Sequence, residues 1–339
     1  MKWGGCISEP FIVSNGVKQG GVLSPLLFTT YIDNLLIKLK NSSNGCYIGS
    51  QFCGAFGYAD DVILLSPTKY GLKQMLTMCT EYAHEYKVKF NPSKSKLIII
   101  SKSDLSNVSI DFMNERISCV KKDIYLGNVF GNVSQDDIVS HVTNDLLSKV
   151  NMIKTHFKWL PHDLMYELFK TYCMPLYGSY FCDLSSPSIN KLYVAWRKSV
   201  RCLLKLPNRT HSYLLPLICD DIPINVQLSV RFVKFFKSLY SSSNHITVLC
   251  AKLALLGSRS SVSNNLTYVS ELYNVCRCII PQTSNNIQMK DKSNMEGASI
   301  AELVRELLSI KYENLFMPYH QIYIPSSDID CIIEAVCCT

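Results

Sequence analysis

Apolar residues recur at helical spacing over 24–40, where Leu27, Phe28, Tyr31, Ile32, Leu35, Leu36 and Leu39 follow a 3.6-residue repeat. Ser24-Pro25 opens that stretch, a hydroxyl at the N-cap position followed by proline at the first helical position. The same period returns over 68–86 and turns Leu72, Met75, Leu76, Cys79, Ala83 and Tyr86 inward. Between these helices, 46–56 and 62–66 read as two β-runs separated by Gly57-Tyr58-Ala59-Asp60-Asp61. Strand-like runs follow at 97–101, 108–112, 117–120 and 124–130. This order predicts an α+β fold in which helices cover one face of an antiparallel sheet. Beyond about 134 the period is helical, over 136–157, 161–172 and 187–206, and the last hundred residues predict looser helices, the best at 297–310. No internal repeat interrupts this order.

Polar runs at 41–45, 104–107, 241–244 and 258–265 punctuate the chain. They divide it into a mixed segment 1–130, a helical segment 131–240 and a helical tail 241–339. Charge sharpens the division. The chain is +7 overall, but the three segments carry +4, +5 and −2, so a polyanionic partner would face the first two. With 47% hydrophobic and 18% charged residues, neither a disordered nor a collagen-like chain is expected. No run approaches the ~20 apolar residues of a membrane span. The first six residues, Met1 to Cys6, lack a secretory pattern, so an intracellular place, nucleus or cytoplasm, without a membrane partner is expected. The 15 cysteines form no repeating framework and read as reduced, small apolar residues.

Asp60-Asp61 is the sharpest chemical feature. Two adjacent carboxylates at a turn supply hard oxygen ligands of the kind Mg²⁺ takes together with substrate phosphates. An ordinary solvated turn pair is the other reading. Upstream, Gly16-Val17-Lys18-Gln19-Gly20-Gly21-Val22-Leu23-Ser24-Pro25 is a glycine-rich loop entering a helix. Bare amides, a lysine and a positive helix end suit a phosphate, although a tight turn would look the same.

Taken together, the glycine loop and Tyr58-Ala59-Asp60-Asp61 closely resemble the palm of reverse transcriptases, particularly those of non-LTR (LINE-type) retrotransposons. Two further segments fall in the family's order. Asn91-Pro92-Ser93-Lys94-Ser95 resembles its Asn-x-x-Lys-Ser/Thr element beside the incoming nucleotide, and Tyr125-Leu126-Gly127 resembles the hairpin that grips the primer end. The resemblance covers about residues 1–130. It implies an RNA-directed DNA polymerase using Mg²⁺, deoxynucleoside triphosphates, an RNA template and a DNA primer. Asp60 would be the main metal ligand with Asp61 its weaker neighbour, and Lys94 would neutralise or protonate the departing phosphates, although a solvated turn lysine reads equally well. Gln19, Gly20, Gly21, Tyr58 and Ala59 would lie along nucleotide, template or primer; Tyr58 reads equally well as a core aromatic.

One departure from the family pattern stands out. The family palm holds its metals with three carboxylates, one from an Asp motif before the glycine loop. Only Glu9 is acidic before Gly16, and it lies in the wrong place. The resemblance therefore implies missing fingers, a weakly held Mg²⁺, and a chain inactive alone or dependent on a longer form of itself. The rival expectation is a non-catalytic nucleic-acid-binding remnant or an incomplete gene.

In 189–209, Ile189, Leu192, Tyr193, Trp196, Val200, Leu203 and Leu204 form an apolar stripe. Lys191, Lys198 and Lys205 recur every seventh residue, with Arg197 and Arg201 one turn apart. Such a face could track a nucleic-acid backbone, as a polymerase thumb does, or be the solvated side of a bundle helix. Residues 160–224 are similar to the post-palm region of animal LINE-type reading frames, a likeness that carries no catalytic residue.

Overall fold

The structure, a computed structural model, describes residues 2–10, 16–18, 20–101, 107–256, 260–279 and 331–337. In chain order the first elements are β1 (Lys2–Trp3), β2 (Cys6–Ile7), α1 (Ser24–Asn41), β3 (Tyr47–Ile48), β4 (Gln51–Phe52), β5 (Ala55–Tyr58) and β6 (Asp61–Ser66). Then come α2 (Lys69–Tyr86), β7 (Lys96–Ile100), β8 (Ser109–Phe112), β9 (Glu115–Val120), β10 (Lys122–Tyr125) and β11 (Asn128–Gly131). The helices α3 (Gln135–His156), α4 (His162–Leu168), α5 (Asn190–Leu203), α6 (Leu214–Ile218), α7 (Ile224–Tyr240), α8 (His245–Leu256) and α9 (Ser261–Ile279) follow, with β12 (Cys331–Cys337) last. The chain forms two compact units. The first takes the described residues up to Lys121 together with β12, and the second runs from Lys122 through α9.

The first unit is a six-stranded sheet in the order β5-β6-β12-β7-β9-β8, with α1 and α2 packed on it. Every ladder is antiparallel except the short β7–β9 pair. In β6 the side chains alternate, with Val62, Leu64 and Ser66 buried, as a strand with one covered face requires. Leu97, Ile98 and Ile99 of β7 are buried in succession, the mark of a strand covered on both faces. These strands join Ile32, Leu35 and Leu39 of α1 and Leu72, Met75, Leu76 and Cys79 of α2 in one core.

A polar clasp joins the helices. Lys38 pairs with Glu85 at 2.8 Å and stands 5.4 and 5.3 Å from the ring centres of Tyr82 and Tyr86. The Tyr82 hydroxyl donates to the Tyr31 carbonyl, and burial, with the nearby Tyr86, pushes its ionisation up to about 12.

Three expectations need correction here. Segment 331–337, predicted as part of a helical tail, is the strand β12, paired antiparallel with both β6 and β7. Its composition, Cys-Ile-Ile-Glu-Ala-Val-Cys, is rich in β-branched residues, and the two neighbours offer it backbone partners on both edges. The helix expected at 297–310 lies outside the described residues. In α1, the N-cap is Leu23 without a side-chain bond, and the Ser24 hydroxyl donates instead to the Lys18 carbonyl. The apolar stripe of α1 is also covered only in its second half: Leu27 and Tyr31 are 57% and 41% exposed.

The second unit is helical around one core that runs from Val139 to Val269 and includes the fully buried Trp196. A capping box starts α3, with the Ser134 hydroxyl accepting from the Asp137 amide and the Asp137 carboxylate accepting from the Ser134 amide. The polar run 241–244, expected to mark a boundary, is a turn between α7 and α8, and Ala251, Leu255, Leu266 and Val269 continue the same core beyond it. Asn265 of α9 is buried and bridges the 182–184 backbone, accepting from the Leu184 amide at 2.7 Å and donating to the Cys182 carbonyl at 2.9 Å. Burial pushes the Cys173 thiol up to about 11 and the Cys182 thiol up to about 12, so both behave as apolar groups. Among the described residues no helix is long and apolar enough to cross a membrane.

Candidate functional site

Asp60 and Asp61 sit at the tip of the β5–β6 hairpin. Tyr58 pairs with Asp61 and Gly57 with Val62, which leaves Ala59 and Asp60 as a two-residue turn. Ala59 has φ +51, a left-handed conformation an alanine adopts at a cost of about 1 kcal/mol. Strain of this kind in a tight turn is tolerated where the strands on both sides fix the register. Asp60 is exposed and Asp61 half-buried at the start of β6. Tyr58 is 63% exposed, so it is not a core aromatic. Gly57 seats the hairpin on α1, because a Cβ there would stand 3.4 Å from the Leu36 side chain.

Two adjacent carboxylates on a rigid turn are a donor set of the right chemistry for a hard divalent cation. Among the described residues no group of three His, Cys, Asp or Glu side chains is placed to hold a metal. The pair therefore fits part of a metal site, with ligand positions left for other oxygens.

The glycine loop makes its own turn. The Gly21 amide donates to the Lys18 carbonyl at 3.0 Å, and Gly20 takes φ +78. A Cβ on Gly21 would fall 2.7 Å from the Ser24 hydroxyl oxygen and 3.1 Å from the Lys18 carbonyl, so a larger residue would crowd the bond between them. Because Ser24 turns back to that loop, no side chain caps the first turn of α1. Gln19 lies outside the described residues.

Lys94 occupies the exposed tip of a turn built by Asn91. The Asn91 carbonyl accepts from the amides of Lys94 and Ser95 at 3.2 and 3.1 Å, and its side-chain oxygen accepts from the Ser93 hydroxyl at 2.7 Å. The sheet register gives that turn its place. Ala335 lies opposite both Ile63 and Lys96, while Cys337 lies opposite Asp61. β6 and β7 thus run the same way on either side of β12, and the Lys94 turn and the Asp60 turn emerge at the same end of the sheet. Two strand spacings, about 10 Å, separate the strands that carry them.

The remaining expected residues lie in the second unit. Tyr125-Leu126-Gly127 forms the turn of the β10–β11 hairpin, with Leu126 at φ +46 and Gly127 at φ +75. Residues far along the chain support it: His141 donates from Nε2 to the Gly127 carbonyl at 3.0 Å, and the Tyr177 ring lies so close that a Cβ on Gly127 would stand 3.0 Å from it. No sequence signal marked either residue as part of this turn.

The basic face of α5 is less free than its spacing suggested. Lys191 is paired with Asp136, and Arg201 donates to the Thr210 carbonyl at 3.1 and 2.8 Å and to the Ser212 hydroxyl at 3.0 Å. Arg197 is half-buried and Lys198 exposed, while Lys205, exposed at φ +52, lies beyond the end of α5 and so is not on its face as expected. Charge periodicity reports a face and says nothing of the partners already on it.

Comparison with known proteins agrees with the motif reading. Residues 3–160 match the family described as reverse transcriptase (RNA-dependent DNA polymerase). The Pol polyprotein of the type-2 retrotransposable element R2DM from Drosophila melanogaster is 37% identical over 90 residues, which is 26% of this chain and 8% of that protein. The Pol polyprotein of a type-1 retrotransposable element R2 from Nasonia vitripennis is 36% identical over 81 residues, 24% of this chain and 8% of its own length. A corresponding protein from Popillia japonica is 31% identical over 93 residues, 27% of this chain and 15% of that protein. The chain thus spans a small part of the relatives it matches. Residues 3–160 belong to the reverse transcriptase family, in its non-LTR retrotransposon branch.

Proposed function

We propose that the β5–β6 turn is the metal-binding end of a polymerase site that serves RNA-templated DNA synthesis from deoxynucleoside triphosphates. The family depends on divalent metal ions and acts on nucleic acid. The observation that carries the reading is the hairpin itself, two adjacent carboxylates held at the tip of a registered strand pair inside the matched stretch. Asp60 and Asp61 would hold Mg²⁺, with the remaining positions filled by substrate phosphates or by a carboxylate outside the described residues. When bound, such ions activate the primer 3′-hydroxyl and stabilise the leaving pyrophosphate.

The chain's own residues supply binding and orientation. Lys94, at the same end of the sheet, balances the triphosphate charge. Gly20 and Gly21 allow close approach of backbone to nucleotide, and the uncapped start of α1 favours an anion there. In this reading the first unit is the palm and the helices of 131–240, α3 to α7, are thumb-like. The Tyr125–Gly127 turn would steady the primer end, and Lys198 and Lys205 would face phosphates. A template, primer and triphosphates are the partners.

The test is Mn²⁺ binding to the whole chain, followed by electron paramagnetic resonance with and without a deoxynucleoside triphosphate. Binding strengthened by the nucleotide and lost in Asp60→Ala is the expected result. Nucleotide-dependent binding that survives in Asp60→Ala would move the site elsewhere. No Mn²⁺ binding at all, with duplex binding retained, would favour the non-catalytic nucleic-acid-binding reading.

A further inference from the structure

We propose that the segment following the last buried turn of α3 is a second nucleic-acid contact, one that takes a single strand by stacking its bases. Six consecutive residues, Lys154, Thr155, His156, Phe157, Lys158 and Trp159, are exposed. The segment is nevertheless held at both ends. Ile153 before it is buried and accepts from the Phe157 amide at 2.9 Å. Leu160 after it packs against the helical core and donates its amide to the Phe157 carbonyl at 3.0 Å. The rings are therefore presented on an ordered turn, with Trp159 71% and Phe157 37% exposed.

Among the described residues neither ring meets another ring, and none of Lys154, His156 and Lys158 forms an ion pair. Phe157 lies between the ammonium groups of Lys154 and Lys158 in the chain, and Trp159 follows Lys158. Part of that charge offsets the negative carbonyl end of the helix, roughly half a unit, and the rest is left for a ligand. A ligand that is anionic along its length and carries flat π-faces between its charges matches this arrangement, and single-stranded nucleic acid is such a ligand. A lipid surface would call for a continuous apolar face, whereas Thr155, His156 and Lys158 interrupt this one. The inference rests on the polymerase reading only for the class of partner; it needs neither Asp60 nor a metal.

Tryptophan fluorescence of the whole chain tests it. Trp196 is buried and Trp3 exposed, so a Trp3→Phe background leaves Trp159 as the solvent-facing reporter. Oligothymidylate is expected to quench Trp159. An abasic oligomer of equal length is expected to bind through charge without quenching. Replacing Phe157 and Trp159 by alanine should weaken oligothymidylate binding, read by anisotropy of a labelled strand, about tenfold to a hundredfold with little change in salt slope. Lys154→Gln with Lys158→Gln should instead flatten the slope by about 0.7 for each phosphate no longer neutralised. Since these side chains are exposed, unchanged thermal unfolding of the variants serves as the folding control. Equal affinity in the aromatic variant, quenching by the abasic oligomer, or stronger quenching by phosphatidylserine vesicles would overturn the proposal. Asp60→Ala should leave the quenching intact even if the Mn²⁺ experiment fails.

Discussion

The two units use the same side-chain types for opposite ends. In the first, Asp60 stands exposed on a turn whose backbone is held in an unfavourable conformation. In the second, Asp137 accepts from the Ser134 amide and hydroxyl and from Lys122, and its carboxyl is held well below the usual carboxylate range, chiefly by the Lys122 ammonium. Lys191 of the helical unit is likewise tied, to Asp136. Several carboxylates in the helical unit are spent on closing turns and starting helices. At the hairpin tip Asp60 is exposed and Asp61 half-buried, placed where a ligand could reach them.

The contrast breaks most visibly if a hairpin carboxylate proves as important to stability as a buried polar group of the helical unit. Asn265→Ala leaves the Leu184 amide and the Cys182 carbonyl without partners in the interior and is expected to cost about 3 kcal/mol. Asp60→Ala, expected to remove nucleotide-dependent Mn²⁺ binding, should leave the urea midpoint nearly unchanged. Parallel denaturation curves decide it, and a large loss from Asp60→Ala would mean that the turn is structural.

How much of this was legible in the sequence follows from how local each signal is. The alternation of β6 and the 3.6-residue period of α2 depend on neighbours a few positions apart, and both elements formed where they were expected. The Ser24-Pro25 signal was local too, yet the hydroxyl went to Lys18 because the glycine loop brings that carbonyl within reach. β12 could not be read, since its partners Asp61–Ser66 and Lys96–Ile100 are more than two hundred residues away and its own run of seven fits several structures. Of the candidate site, the motif residues were legible as chemistry. The supports His141 and Tyr177 were not, because nothing in their own surroundings marks them.

A smaller effect sharpens the comparison between the two hairpin turns. Gly127→Ala puts a Cβ at φ +75 and within 3.0 and 3.2 Å of the Tyr177 ring, so a loss of about 2 kcal/mol in unfolding free energy is expected. A loss near zero would show that the Tyr177 ring yields easily and does not brace the turn.

Acid should separate the units as well. Asp137 has a folded-state pKa below its unfolded value, so its contribution is fully present above about pH 4 and is lost as pH falls through the lower folded value. Asp137→Asn should therefore destabilise the chain at neutral pH, with the gap from the parent narrowing as the pH is taken well below 4. Both partners are partly exposed, so added salt should shrink the gap at every pH. A gap that stayed constant into strong acid would mean that the cap works without its charge.

The smallest effect falls on the hairpin that carries the candidate chemistry. Ala59 is left-handed at φ +51, and glycine adopts that conformation without the Cβ penalty. Ala59→Gly is therefore expected to relieve about 1 kcal/mol of native-state strain, offset in part by the greater freedom glycine has in the unfolded chain. The net gain in stability should be a few tenths of a kcal/mol, near the limit of a urea titration. The informative part is what happens to the ion. If the strained alanine matters only as a small residue, nucleotide-dependent Mn²⁺ binding should survive unchanged. If it also fixes the direction of Asp60, the glycine variant should bind the ion more weakly while being no less stable. Such opposite movement of stability and binding would mark strain that is used at the site and not merely tolerated by it.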